Sequence, residues 1–338
     1  PIPLSLPPNS FRTMSSTQSS QQFVAAVRER VGLVVVGQDV VVERVMIALL
    51  TGGHLLLQGM PGLAKTLLVN TVAKAIHLDF KRIQFTVDML PSDILGSEVV
   101  DLKTGEFRIH RGPVFTNLLL ADEINRAAPK VQGAMLEAMQ ERKVTLGGQS
   151  MKLPTPFLVI ATQNPVEQSG TFELPEAQLD RFMLLHRLGY PGRDEEQDIL
   201  RRQLSMGLRK EEGGAVPKTA FDMIDGSPVG TATDLVAAME SVQQVHVSEV
   251  FLKHSVELVR RTRESKLLDF GCSPRAGLAL VNAARARAVI HGRDYVTPED
   301  LFDLAEDIVL HRIRVSYEAS AAGHTGPKVL QGILAGLG

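Results

Sequence analysis

Short apolar runs alternate with stretches of helical apolar spacing between residues 23 and 188 of the chain. This alternation predicts a parallel sheet whose strands are joined by crossover helices. The strand candidates are nearly continuous in Leu, Val and Ile, as strands buried on both faces should be. They lie at residues 54–58, 82–86, 117–122, 157–162 and 183–188, and helices are predicted at residues 39–51, 65–77 and 130–141. The pattern therefore indicates an α/β domain.

Two segments interrupt this rhythm. Residues 99–111 form two short strand patterns around Lys103-Thr104-Gly105, and residues 144–153 do the same around Gly147-Gly148. Both are typical of β-hairpins inserted into an α/β framework.

After residue 192 the pattern changes to helices alone, and residues 206–230 are predicted to be a long connection. The helix candidates are residues 195–204, 233–243, 248–265, 274–291 and 298–311. We therefore expect a disordered N-terminal tail at residues 1–22, an α/β domain at 23–190, a helical domain at 191–316 and a C-terminal tail at 317–338.

Composition excludes several classes of protein. The 338 residues carry a net charge of −2, so no general basic field is available to hold nucleic acid or an anionic membrane. Cys272 is the single cysteine, which excludes an internal disulfide, fits a reducing compartment and predicts a packing residue. The nine histidines show no metal-binding spacing. No window approaches the roughly 20 apolar residues of a membrane span, and residues 1–22 lack a signal-peptide layout. We expect a cytoplasmic location.

The strongest chemical signal follows the first strand candidate directly and opens a helix. It reads Gly59-Met60-Pro61-Gly62-Leu63-Ala64-Lys65-Thr66. Glycines let backbone N–H groups turn toward one anion, and the helix N-terminus adds its own donors. Lys65 suits β- and γ-phosphates, and the Thr66 hydroxyl suits Mg²⁺. A plain Gly-Pro turn is the alternative, and Ala64 departs from the strict pattern, but the strand–loop–helix context favours nucleotide binding.

Two further strand ends carry polar groups at the same expected edge of the sheet. Asp122 and Glu123 follow an apolar strand, where Asp122 would hold Mg²⁺ and Glu123 would polarise the attacking water. Asn164 follows the fourth strand and offers an amide to the γ-phosphate or the water. A solvated acidic turn and an Asn-Pro turn are the alternatives, but the phosphate loop upstream makes them poorer explanations.

These three elements, in this order, resemble the AAA+ ATPases. Further segments narrow the match: Asp122-Glu123-Ile124-Asn125-Arg126-Ala127, Leu174-Pro175-Glu176-Ala177-Gln178-Leu179-Asp180-Arg181-Phe182, Ser273-Pro274-Arg275-Ala276 and Gly292-Arg293-Asp294-Tyr295-Val296. With the Gly-x-Pro-Gly-x-Ala-Lys-Thr loop they resemble the MoxR family over residues 23–314, and Ala64 fits that family. The resemblance implies an AAA+ P-loop core of three αβα layers with a parallel sheet and β-hairpin insertions, followed by an all-α lid.

The resemblance also implies residue roles. Asn164 matches the sensor-1 residue. Arg181 matches an arginine finger that reaches the γ-phosphate of a neighbouring subunit. Arg275 matches the sensor-2 arginine, which couples phosphate loss to lid motion. For either arginine taken alone, a surface ion pair would be the better interpretation. The predicted nucleotide-binding set is the loop Gly59, Met60, Pro61, Gly62, Leu63, Ala64, Lys65 and Thr66, the next residue Leu67, and the adenine-side segment Val36, Gly37 and Gln38.

Three functions are compatible with a nucleotide-binding protein that carries these residues. The first, which we favour, is Mg²⁺-dependent ATP hydrolysis in a homo-oligomeric ring, which the resemblance implies is a hexamer. Hydrolysis would drive the remodelling or maturation of a protein client, or the insertion of a metal cofactor into it. The family is commonly paired with von Willebrand factor A domain proteins. A nucleic-acid motor fits poorly with the net charge. A non-hydrolysing switch would not need Glu123, Asn164 and Arg181 together. The basic hairpin at residues 99–111 suits either client contact or a solvated tip.

Overall fold

A computed structural model describes residues 16–166, 170–211, 213–224 and 227–337 of the chain. The strands are β1 Leu55–Gln58, β2 Phe80–Gln84, β3 Gly96–Val100, β4 Phe107–Arg111, β5 Leu118–Asp122, β6 Lys143–Leu146, β7 Gln149–Lys152, β8 Leu158–Gln163, β9 Leu184–Arg187, β10 Leu208–Glu211, β11 Gly214–Pro217, β12 Leu268–Phe270 and β13 Arg314–Val315. The helices are α1 Ser16–Gly32, α2 Asp39–Thr51, α3 Lys65–Ala75, α4 Pro91–Leu95, α5 Pro129–Glu141, α6 Glu176–Leu179, α7 Arg193–Ser205, α8 Ala232–Gln243, α9 Glu249–Glu264, α10 Pro274–Ile290, α11 Pro298–Val309, α12 Tyr317–Ala321 and α13 Gly326–Ala335.

The central sheet has five parallel strands in the order β2-β5-β8-β1-β9. Successive strand residues alternate between its two faces, as the pleat requires. Leu55 and Leu57 belong to the apolar cluster shared with α1, α2, α3 and the C-terminal helices, while Leu56 belongs to the cluster that contains α5. Helices thus cover both faces, which confirms the predicted three-layer α/β core.

Both predicted hairpins are present as antiparallel pairs, β3 with β4 and β6 with β7. They touch one another, because a Cβ added to Gly147 at the second tip would lie 2.7 Å from a carboxylate oxygen of Glu98 in β3. At the tip of the first hairpin, Leu102 and Phe107 are exposed.

The lid follows β9 and consists mainly of helices, which confirms the predicted helical domain. It also contains two short antiparallel pairs, β10 with β11 and β12 with β13, that the sequence pattern did not predict. The first of these lies in the segment that we expected to be an irregular connection. Both pairs are only two to four residues long, which is too short for a clear period-2 pattern. No helix within the described ranges is long and apolar enough to cross a membrane.

Both predicted tails need correction. Helix α1 begins at Ser16, inside the segment expected to be disordered, and its residues Val24, Val27 and Val31 are buried. These apolar positions recur at helical spacing, and the helix extends from them through a Ser/Gln-rich stretch that has no such pattern. At the other end α12 and α13 are ordered helices, and Val329 and Leu330 of α13 are buried. Residues 1–15 and 338 lie outside the described part.

Buried ion pairs join the lid to the core. Arg44 of α2 donates through Nε to Asp307 Oδ2 of α11 at 2.5 Å, and its Nη1 lies 2.6 Å from Glu43 Oε1. Arg287 of α10 bonds both Glu43 and Asp300, at 3.1 and 2.7 Å. Burial by itself raises the pKa of Glu43, but the two arginines outweigh it and the pKa is lowered. The lid is therefore fixed to α2 by paired charges as well as by apolar packing.

Candidate functional site

The phosphate loop joins β1 to α3 at the carboxyl edge of the sheet. Gly62 and Ala64 have φ of 86° and 52°, so both adopt positive φ and turn the loop around the start of α3. Lys65 Nζ donates to the carbonyls of Gly59 and Met60 at 2.9 and 3.3 Å. Burial lowers the pKa of Lys65, and Asp122 and Glu123 oppose that shift. The loop is thus preformed, and the Lys65 ammonium lies against its backbone carbonyls.

A cavity of about 430 Å³ lies beside this loop, between the core and the lid. It is lined by residues of the predicted nucleotide-binding set, together with lid residues that the sequence did not single out. Predicted members are Val36, Gln38, Pro61, Gly62, Leu63, Ala64 and Leu67, and the additional residues include Tyr190, Ile199, Leu200 and Met206. This apolar lining suits a nucleobase held mainly by packing.

The adenine-side segment is tied to both the loop and the lid. Gln38 Nε2 donates to the Leu63 carbonyl at 2.9 Å. Gly37 has φ of 69°, and a Cβ added there would lie 2.4 Å from the Glu195 carboxyl carbon of α7. The positive φ favours glycine at this position, and a larger residue would also have to displace the Glu195 carboxylate. The lid helix α7 closes against the segment that was predicted to hold the base.

Asp122 ends the buried strand β5 and is itself buried. Its Oδ1 accepts from Thr162 Oγ1 at 2.6 Å, and its Oδ2 accepts from Arg82 at 2.7 and 3.1 Å. In the described part of the chain no three acidic, His or Cys side chains cluster as a metal site. Asp122 carries carboxylate oxygens and Thr66 a hydroxyl oxygen, the type of ligand that Mg²⁺ takes together with water and phosphate.

Glu123 is held by its neighbours in an unusual backbone conformation. Its φ is 56°, and its N–H donates to Thr162 Oγ1 at 2.9 Å. The side-chain Oε2 accepts from Gln84 Nε2 at 2.8 Å and pairs with Arg126 Nε at 3.0 Å. The carboxylate that was predicted to polarise water is therefore engaged by an amide and a guanidinium.

Sequence reasoning missed Arg82, Gln84 and Thr162 as parts of the site. Arg82 and Gln84 are alternate residues of β2, so they face the same side of the sheet. The register pairs Gln84 with Asp122, because β2 lies next to β5. The alternating polar residues Arg82 and Gln84 within one strand indicate that both belong to one face of the sheet. Which side chains they contact depends on the strand order, because β2 lies next to β5.

Asn164 follows β8 and lines one cavity with Gln58 and Asn125, at the carboxyl ends of β1 and β8. Its Oδ1 accepts from the Val166 N–H at 3.2 Å. The Gly59 N–H donates to the Gln163 carbonyl at 3.1 Å, so the start of the phosphate loop is bonded to the strand end that carries Asn164. The structure thus brings Asn164 to the same edge as the loop.

Arg181 and Arg275 lie elsewhere. They line a cavity of about 330 Å³ together with Gly53 and His54, which precede β1. The phosphate loop follows the carboxyl end of the same strand, whose four residues span about 13 Å at ~3.3 Å each. Arg181 Nε donates to Gln140 Oε1 at 3.1 Å, and Arg275 pairs with Asp180 at 3.6 Å. Arg275 thus lies at the edge of the sheet opposite the phosphate loop of its own chain.

Comparisons with known proteins agree with this architecture. Residues 54–184 match a family model described as "ATPase family associated with various cellular activities (AAA)", and residues 260–333 match an AAA lid domain. A crystal structure from Cytophaga hutchinsonii, described as a candidate ATPase, superposes with a TM-score of 0.84 at 41% identity, covering 95% of this chain and 96% of that one. The fold and site define an AAA+ ATPase with a helical lid.

Two curated relatives narrow the assignment. The protein is 42% identical to the uncharacterized protein YeaC of Bacillus subtilis, over 90% of this chain and 91% of that protein. It is also 42% identical to Chaperone MoxR1 of Mycobacterium tuberculosis, over 85% of this chain and 74% of that protein. The chain belongs to the MoxR family of AAA+ ATPases.

Proposed function

We propose that the protein hydrolyses ATP, with Mg²⁺, at interfaces between its own copies in a closed ring, a hexamer by family resemblance. The observation that supports this most is the position of two arginines. The predicted finger Arg181 and the lid residue Arg275 share one cavity at the amino edge of the sheet, while the phosphate loop opens at the carboxyl edge. A phosphate held by one subunit can meet these guanidiniums only from a neighbour. Subunits arranged head to tail around a ring bring these two edges together.

The chemistry follows from the groups at each edge. Lys65 and the loop N–H groups hold the phosphates, and Thr66 and Asp122 would hold Mg²⁺, which shields the phosphate charge. Glu123 polarises the attacking water once its carboxylate leaves Gln84 and Arg126, and Asn164 orients that water. Arg181, and Arg275 beside it, stabilise charge on the transferred phosphoryl group from the next subunit, an effect worth about 10³–10⁵ in rate.

The motion that follows hydrolysis is expected between subunits. The lid is joined to α2 by the buried pairs of Arg44 and Arg287, so lid and core of one subunit move together. Loss of the γ-phosphate releases the neighbour's arginines and shifts one subunit against the next. We propose that this shift acts on a protein client in a chaperone-like manner, as the name of the relative MoxR1 suggests.

Three variants test the proposal by steady-state ATP turnover. Lys65→Ala should lose nucleotide binding, whereas Glu123→Gln should bind ATP and hydrolyse it orders of magnitude more slowly. Arg181→Ala should bind ATP as the wild type does and turn over at least 100-fold more slowly. Arg260→Ala, at an exposed arginine of α9, is the control for loss of a guanidinium. Wild-type turnover by Arg181→Ala would refute the shared site.

The client is sought with the same slow variant. Glu123→Gln, loaded with ATP, should retain a client that the Lys65→Ala control does not. A protein with a von Willebrand factor A domain is the class that the family resemblance favours. Equal recovery of every protein on both variants would contradict an ATP-dependent client.

A further inference from the structure

A single guanidinium of the lid holds the backbone on both sides of Arg181. Arg312, in the turn at residues 310–312 that follows α11, donates through Nη2 to the Phe182 carbonyl at 2.6 Å and the Asp180 carbonyl at 3.4 Å. Its Nη1 donates to the Met183 carbonyl at 3.3 Å and to the Ile308 carbonyl in α11. Three of the four carbonyls in the segment 180–183 are therefore bonded to one side chain.

The same arginine also fixes the carboxylate next to Arg181. Arg312 Nε donates to Asp180 Oδ1 at 2.8 Å. Ser273 Oγ, at the start of α10, donates to both oxygens of Asp180 at 3.2 and 3.0 Å, and Arg275 lies 3.6 Å from Oδ2. Asp180 thus joins the lid residues to the segment that carries Arg181.

The Arg312 side chain is only 2% exposed. A buried guanidinium left without its acceptors is costly, so the acceptors and the arginine constrain one another. The planar fork places its N–H groups in fixed directions, which a lysine ammonium on the same stem cannot reproduce. The Arg181 side chain is half-buried and donates to Gln140 Oε1. Its backbone is fixed by the lid while its own head group remains available.

We propose that Arg312 is the positioning residue of the arginine finger. It holds the segment 180–183 so that Arg181 reaches the neighbouring subunit's γ-phosphate, and it makes the reach of that finger depend on the lid. This inference rests on the proposed role of Arg181. A displacement of about 1 Å in a group that meets the reacting phosphate can cost about 10²-fold in rate. Arg312 affects the rate only by preventing that displacement of Arg181, and it touches no substrate.

Arg312→Lys is the first test, because it keeps the charge and removes the fork. We expect kcat to fall 10- to 100-fold while the KM for ATP stays within about 2-fold, since the phosphate loop lies at the other edge. Arg314→Lys is the matched control two residues further on, where the arginine is exposed and pairs with Glu176. Where Arg312→Lys does not fold, Asp180→Asn replaces it. This change removes the charge that Arg312 Nε binds and leaves Arg312 and its bonds to the backbone carbonyls in place. A loss of ATP affinity with unchanged kcat would overturn the inference.

A double-mutant cycle separates positioning from general destabilisation. Once Arg181 is alanine, adding Arg312→Lys should lower kcat no further, because the group that it positions is already gone. In mixed assemblies Arg312→Lys should restore activity to Lys65→Ala, whose finger is intact, but not to Arg181→Ala, whose finger is missing. Additive losses, or rescue of Arg181→Ala, would refute the positioning role. Wild-type kcat in Arg181→Ala alone would instead refute the finger, and the positioning role with it.

Discussion

His54 makes the stability of the core depend on pH between 4 and 6.5. It precedes β1 and is buried, with Nδ1 accepting from the Val159 N–H at 3.0 Å. Because that nitrogen accepts, Nε2 carries the proton and donates to the Met139 carbonyl at 3.2 Å. Burial lowers the pKa of His54 from 6.5 to about 4, the charge of Arg142 adds to the shift, and the bond to Met139 opposes it. The folded protein therefore contains the neutral imidazole.

The magnitude follows from proton linkage. The unfolded chain binds a proton at His54 below pH 6.5, whereas the folded chain does so only near pH 4. The stabilisation is fully present above pH 6.5 and is lost as the pH falls toward 4. A shift of 2.5 pKa units corresponds to about 3 kcal/mol in total, of which about 2 kcal/mol is lost at pH 5.

The assay compares His54→Gln with the wild type by denaturant unfolding at pH 7.5 and pH 5. Glutamine can donate and accept in similar directions but does not titrate. We expect the wild type to lose about 2 kcal/mol more unfolding free energy than the variant does over this pH range. The buried His311, whose pKa is also lowered by burial, contributes equally to both proteins and cancels. His324→Gln, at an exposed histidine, controls for loss of an imidazole. Equal losses in wild type and His54→Gln would refute the reasoning.

Three further predictions concern the site and the lid. Gln84→Leu removes one of the two groups that bind the Glu123 carboxylate and leaves Arg126 as the other, and it should raise ATP turnover without client several-fold. Unchanged or slower turnover would show that the bond from Gln84 does not restrain Glu123. Arg44→Met removes one cationic partner from each of two buried carboxylates, Glu43 and Asp307, and should cost about 2 kcal/mol by thermal unfolding, against less than about 1 kcal/mol for Arg187→Met, whose pair is exposed. Gly37→Ala strains a backbone held at φ of 69° and displaces the Glu195 carboxylate, so it should weaken ADP binding measured by calorimetry, with a Kd equal to that of the wild type as the contrary result.

The sequence predicted the strands of the central sheet to within two residues. The inner strands β1, β5 and β8 are continuous apolar runs because both of their faces are buried, whereas the edge strand β2 is largely exposed. It also placed Asp122, Glu123 and Asn164 at strand ends, which share one edge in a parallel sheet. The bonds of Arg82 and Gln84 to those acids depend on β2 lying beside β5, a pairing between residues 40 positions apart. Such long-range pairings carry no local signal.

The position of Arg275 shows the same limit. Its place at the start of α10 agrees with the helix predicted at residues 274–291, and Ser273 Oγ accepts from the Arg275 N–H at 3.2 Å. Its partner Asp180 lies 95 residues earlier in the chain and was recognised only as the neighbour of Arg181. The packing of the lid against the amino edge of the sheet, and not any local motif, decides which phosphate Arg275 can meet.

ATP turnover by mixed subunits tests the central claim most directly. Lys65→Ala lacks a working phosphate loop and Arg181→Ala lacks the finger, so each alone should be at least 100-fold slower than the wild type. In an equal mixture about a quarter of the interfaces combine an intact loop with an intact finger, and turnover should rise toward a quarter of the wild-type value. Co-purification through a tag on one variant verifies that mixed assemblies form. Turnover that stays at the level of the separate variants in such assemblies would contradict a site shared between two subunits.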